Sequence, residues 1–188
     1  MFLLSSLCFL FFWIALVQSF PTWGGQITMG SLVPGAAYIE AKSAHRSGTT
    51  PRHLDTSIPG TFGNLSIVPD NRLPPPLFYI NQNHLWQFAN ASAIFHVNIV
   101  NTTEVVHPTG QVPLQLTLDT KRKGITNGSF RWRGDMLHYD IGGATNGGVY
   151  YHCPTADGGR LIMFLKGVPT PQGCYFFTLH GTQSQQEY

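Results

Sequence analysis

The sequence predicts an all-β protein, an antiparallel β-sandwich or barrel carrying one disulfide. Three observations predict it. Short hydrophobic runs recur across residues 61–180, and several alternate between apolar and polar positions. Clusters of Gly, Pro and Asn separate them. No stretch longer than about ten residues keeps the helical period. Strands without intervening helices argue for antiparallel layers, packed face to face or closed into a barrel. A β-trefoil is the alternative, and the lack of a clean threefold repeat weighs against it.

The chain opens on an expected export signal, residues 1–19. Residues 1–17 carry no side-chain charge and are rich in Leu, Phe, Trp and Ile. Residues 7–17 form the apolar centre, and Val17-Gln18-Ser19 places modest side chains where a signal peptidase reads. The run of about 16 residues is short of the ~20 needed to span a bilayer. Pro21, Gly24 and Gly25 follow at once. The mature chain is therefore expected outside the cell, with no membrane span.

Residues 20–57 are mixed, partly strand and partly loop. Within them, residues 41–57 are polar, with Arg46, Gly48, Pro51 and Arg52, and read as a loop or a poorly ordered segment. The β-domain is expected over residues 58–180, followed by a polar tail, 181–188. In residues 93–100, Phe95, Val97 and Ile99 alternate with His96 and Asn98. In 112–119, Val112, Leu114, Leu116 and Leu118 alternate with Pro113, Gln115, Thr117 and Asp119. Phe130 and Trp132 alternate with Arg131 and Arg133. Period two marks half-buried strands. Residues 77–80, 85–88, 137–141, 149–153, 161–166 and 174–179 are apolar on both sides or shorter, and read as covered strands. Pro113 suggests an edge or bulge position.

Cys8 falls inside the leader, so export leaves Cys153 and Cys174. An oxidising compartment joins such a pair. The bridge would close a three-stranded C-terminal meander around 161–166. Cys153 shares a face with Val149 and Tyr151, and Cys174 with Phe176, Thr178 and His180. Tyr175, Phe177 and Leu179 look toward the core.

Composition excludes some roles. Charged residues make up 11% and aromatic residues 13%, which suits a packed core rather than a disordered chain. A net charge of +2 gives no electrostatic case for nucleic acid. His96, His138, His152 and His180 lie on strands without local metal-ligand spacing, so no metal or cofactor is expected. The few carboxylates fall mostly in turns and no G-x-S-x-G elbow occurs, so no catalytic residue is assigned. Four sequons, at Asn64, Asn90, Asn101 and Asn127, are candidate N-glycosylation sites. Trp86, Trp132 and Tyr139 are candidate platforms for stacking on a sugar or small ligand. Lys121-Arg122-Lys123, with Arg131 and Arg133, is either a solvated hairpin or a contact for an acidic polysaccharide or membrane surface.

The C-terminal third resembles a group of small secreted fungal proteins that includes the cell-wall protein linked to phialide development. The residues that carry this are Val149, Tyr150, Tyr151 and Cys153, then Cys174, Phe177 and Leu179. The resemblance implies an extracellular or wall-associated β-protein without known enzymatic activity. It carries over the disulfide pair and no catalytic residue. The expected function is thus a secreted, glycosylated, non-catalytic protein with cell-wall polysaccharide as partner. A carbohydrate-binding module and an extracellular hydrolase are the alternatives.

Overall fold

Alternating side chains and tight turns give antiparallel strands throughout. The computed structural model describes residues 35–43, 51–56, 58, 60–69, 75–90, 93–102, 110–156 and 159–182. They lie in one compact unit, Val33–Tyr188. The expected leader lies outside the described residues, and so does the tail from residue 183. The strands are β1 Tyr38–Lys42, β2 Arg52–Thr56, β3 Gly63–Pro69, β4 Leu77–Asn81, β5 His84–Asn90, β6 Ala93–Asn101 and β7 Leu114–Asp119. They continue as β8 Ser129–Arg133, β9 Met136–Ile141, β10 Ala144–Thr145, β11 Val149–Cys153, β12 Arg160–Met163 and β13 Tyr175–Thr182. No helix occurs among the described residues.

Neighbouring strands run in the order β10-β9-β13-β1-β2-β3-β7-β6-β5-β4. Two backbone bonds of 2.8 Å between Ala37 and Phe78 then join the start of β1 to β4. The row from β1 to β4 therefore closes on itself, as in a barrel. β11 and β12 form a second connection, from β13 across to β7. No threefold repeat runs through this order.

Turn chemistry sets the hairpins. Between β4 and β5, Gln82 and Asn83 both have positive φ, 49° and 65°. That is the backbone of a two-residue hairpin turn matched to strand twist. Gly142 and Gly143 do the same between β9 and β10.

The main core holds Ile39, Leu54, Leu65, Phe78, Leu85, Leu116, Leu137, Tyr150, Leu161 and Leu179, all fully buried. Burying one such leucine contributes roughly 1.5–3 kcal/mol. A second cluster, Tyr151, Cys153, Ile162 and Phe164, packs with Val149, Val168, Cys174 and Phe176. Tyr150, Leu161, Met163 and Phe177 belong to the main core while Tyr151, Cys153, Ile162 and Phe176 belong to or pack on the second, so β11, β12 and the start of β13 are covered on both faces. This is why these runs lack alternation.

Cys153 and Cys174 are bonded. The expected meander is corrected: β11 lies between β12 and β13. β12 stops at Met163 and uses its other edge on β7. Pro113 precedes β7 rather than interrupting it. The loop expected over 41–57 is corrected too. β2 lies there, with His53, Leu54, Asp55 and Thr56 buried, paired along its length with β3. The β-domain thus begins before residue 58, and β13 extends it to Thr182.

Candidate functional site

The outer face of β4, β5, β6 and β7 carries one aligned row. Tyr79 pairs with Trp86, Trp86 with His96, and His96 with Asp119. Residues directly opposite on paired strands point to the same face, so three rings stand side by side. Trp86 and His96 approach to 4.1 Å between ring centres, and Tyr79 lies 6.4 Å from Trp86, nearly parallel. All three are half-buried. The Trp86 indole N–H donates to Asn81 O at 3.4 Å.

The row ends at a loop, residues 120–128, that its own hydrogen bonds hold. Asp119 Oδ1 accepts from Lys121 N and Thr120 Oγ1, and Asp119 Oδ2 accepts from Lys123 Nζ at 2.5 Å. The Lys123 bond, more than any other contact, holds the Asp119 pKa down at about 2. Asn98 clamps the loop with its side-chain amide. Its Nδ2 donates to Lys121 O at 2.9 Å, and its Oδ1 accepts from Lys123 N at 3.0 Å. Ile125 N donates to Ile99 O at 2.8 Å, which fixes the returning chain beside β6. Arg122 caps the loop by donating to Thr126 O at 2.7 Å.

Between this loop and the β4–β5 turn lies a half-open recess. His84, His96, Arg122 and Lys123 line its rim, with Phe130 and Tyr139 at its floor. Its internal volume is about 20 Å³, room for roughly one water-sized group. Tyr139 is buried against Phe130, with ring centres 4.8 Å apart. Its hydroxyl has no hydrogen-bond partner. Gly128 makes space for that hydroxyl, since a Cβ there would stand 1.8 Å from it. Burial pushes the Tyr139 pKa up to about 12, so the phenol stays protonated.

Of the three expected platforms, Trp86 alone joins the ring row. Tyr139 is corrected: it is 1% exposed and cannot stack on a ligand from outside. Its period-two neighbour Leu137 and its cross-strand partner Phe130 face the core and take it with them. Trp132 packs on the core margin, with its ring edge 3.2 Å from the Cβ position of Gly181. Tyr79 was not singled out by sequence. The pairing of 77–80 with 85–88 is the signal that would have found it. Asn101 and Asn127 are exposed, whereas Asn64 is half-buried and its Oδ1 accepts from Gln115 Nε2 at 2.6 Å. Asn90 ends β5.

A second constellation looks like a nucleophile relay. Asp135 Oδ2 accepts from His180 Nδ1 at 2.9 Å, and His180 Nε2 meets Thr178 Oγ1 at 2.8 Å. An acyl-transfer site also needs donors for the oxyanion. Thr178 pairs with Lys42 of β1 on one edge and Val149 of β11 on the other. Both edges of the strand are taken up by ladders, so its backbone N–H groups cannot serve. Thr178 Oγ1 also lies 3.3 Å from Lys42 O, as a cross-strand tie. Ser66 and His152 meet at 3.1 Å, but both are buried. No group of three or more metal-ligating side chains occurs among the described residues.

The lowered histidine pKa values predict an acid-sensitive fold. Burial lowers the pKa of His84 and His96, with Arg122 as the next cause for both. Burial also lowers that of His138, helped by Arg133. A folded pKa below the ordinary 6.5 means the unfolded chain binds protons first. Stability present above pH 6.5 is therefore lost as pH falls through the folded values. Asp119 and Asp135, both lowered, add a further loss below pH 3.8. Asp55, raised by burial, works the other way over the acid range, contributing stability at low pH that is lost as pH rises through its folded pKa. The melting temperature is expected to fall between pH 7.5 and 5.5, followed by circular dichroism. Replacing all three histidines by Gln should flatten that slope. An equal slope in the variant would contradict the assignment.

Comparison of the chain with protein-family models, with curated proteins and with solved structures finds no match.

Proposed function

We propose that this chain is a secreted, N-glycosylated, non-catalytic β-protein of the extracellular space or cell wall, and that it binds carbohydrate. The observation that carries the binding reading is the row Tyr79–Trp86–His96 across three paired strands. Aromatic rings present apolar surface with polar edges, which suits the C–H faces and hydroxyls of a sugar. The closed ladders hold the rings at fixed spacing, so little order is lost on binding. The apolar leader and the sequons support export. The resemblance of residues 148–179 to secreted fungal wall proteins supports the same compartment. The partner this reading names is a wall polysaccharide.

The test expresses the full chain through a secretory host. Intact mass reads leader removal and glycan occupancy, and calorimetry against soluble wall oligosaccharides reads binding. Trp86→Ala is expected to weaken binding about tenfold or more, since aromatic anchors dominate such contacts. Trp132→Ala should leave affinity unchanged. A wild-type protein that binds none of these sugars would sink the reading.

A further inference from the structure

We infer that one end of the barrel docks on an anionic lipid surface, entering it with Ile58, Phe62 and Ile94 while Lys121 and Arg122 meet the headgroups. This goes beyond the carbohydrate reading and does not depend on it.

Four large apolar side chains stand exposed among the described residues: Ile58 at 66%, Phe62 at 51%, Ile94 at 47% and Val112 at 56%. Register places three of them at one end. Thr56 pairs with Leu65, so Ile58 and Phe62 lie in the loop of the β2–β3 hairpin. Asn90 pairs with Ala93, so Ile94 opens the return strand of the β5–β6 hairpin. β7 brings the two hairpins together, because Leu118 pairs with both Gly63 and Val97. Val112 precedes the opposite end of β7.

The β2–β3 tip is held in place. Ile58 O accepts from Thr61 Oγ1 at 2.6 Å, Thr56 Oγ1 at 2.7 Å and Thr61 N at 3.2 Å. The Phe62 ring meets Phe95 edge-on at 4.8 Å, and Phe95 packs on the main core. Single exposed apolar side chains are ordinary, whereas several gathered at one end mark an interaction surface.

Charge names the partner. Residues 57–62 and 91–92 carry no charged side chain. Asp55 is buried, and Asp119 is taken by Lys123. Lys121 and Arg122, just past the end of β7, are exposed and pair with no carboxylate among the described residues. Lys121 O accepts from Asn98, four residues along β6 from Ile94, so the cations stand back from the tips. Apolar tips in front and free cations behind match the layers of a membrane surface, acyl chains beneath anionic headgroups. A protein partner calls for a continuous packed face, and these separate hairpins offer only one or two side chains each.

The experiment sediments the full chain with vesicles of phosphatidylcholine alone and of phosphatidylcholine with phosphatidylserine. Asn90 begins a sequon at this rim, so the chain is assayed both as secreted and as Asn90→Gln. At least one form is expected to attach, about tenfold or more tighter to the mixed vesicles. Added salt should narrow that difference. Ile58→Ser and Phe62→Ser should each weaken attachment to both vesicle types about fivefold or more. Val112→Ser, at the opposite end, should attach as wild type does. Lys121→Gln should weaken attachment about fivefold to the mixed vesicles only. Ile58→Ser replaces an exposed side chain and should melt as wild type does, so lost attachment would not reflect lost folding. It should also leave sugar affinity as it was, which separates this test from that of the carbohydrate reading. Failure of both forms to attach overturns the inference. So does unaltered attachment of both Ile58→Ser and Phe62→Ser, an equal loss in Val112→Ser, or equal attachment to the two vesicle types. Self-association that Phe62→Ser abolishes, without vesicle attachment, overturns it as well and assigns this end to a second copy of the chain.

Discussion

Replacing Cys153 and Cys174 together by alanine is expected to lower the melting temperature by about 6–12 °C. The bridge spans 21 positions of the chain, and closing a loop of that length stabilises by about 3 kcal/mol in the chain-entropy model. For a domain of this size each kcal/mol moves the midpoint by about 2–4 °C. The loop contains β12, whose far edge joins β7. An open loop in the unfolded chain must find both partners again, so the bridge acts chiefly by restricting the unfolded state. Alanine at both positions avoids a free thiol that would pair between molecules. Wild-type protein melted under reducing conditions should show the same drop. A midpoint within about 2 °C of wild type would show that the bridge is not a staple.

Much of the sheet is legible in the sequence where one face is core and the other is wet. β6 and β8 alternate and fall where period two places them. β11 is visible for a different reason, as an apolar run bounded by Gly148 and Pro154. β2 is not legible, because three of its four buried residues are polar: His53, Asp55 and Thr56, beside Leu54. Asp55 is satisfied by Thr56 N at 2.7 Å and by the side chain of Gln87 on β5. Such burial depends on partners distant in the chain, and no local pattern announces it. Strand order is hidden likewise. The sequence order of 149–153, 161–163 and 175–182 suggests a meander, yet β11 takes the middle place.

The candidate site divides the same way. Trp86 stands out by residue type alone. Its neighbours Tyr79 and His96 become a row only through register, which needs β4, β5 and β6 paired. Tyr139 was chosen as a flat side chain, although alternation with Leu137 already places it inward. The basic run 121–123 gains meaning only once Asn98 holds Lys121 and Lys123 by their main chain and Arg122 reaches the recess.

Gly124→Ala is expected to destabilise the protein by about 3 kcal/mol or more, against about 1 kcal/mol for Gly143→Ala. Both glycines have positive φ, 76° and 80°. An alanine at either pays the left-handed backbone penalty, partly offset by the stiffer unfolded chain. They differ in surroundings. A Cβ at Gly143 meets nothing within 4 Å, whereas one at Gly124 would stand 2.2 Å from Ile99 O and 2.8 Å from Val100 Cγ1. The first of these is backbone of β6, held in its ladder to β7 over 96–101. It cannot yield, so the 124–125 segment must lift and lose the bond from Ile125 N to Ile99 O. Lys123 and Arg122 precede that segment, and lifting it pulls the recess rim away from Tyr139. Thermal melts should separate the two variants by about 4–8 °C. Equal melting of the two would mean that the close approach to β6 does not hold this loop, and the recess would lose its structural basis.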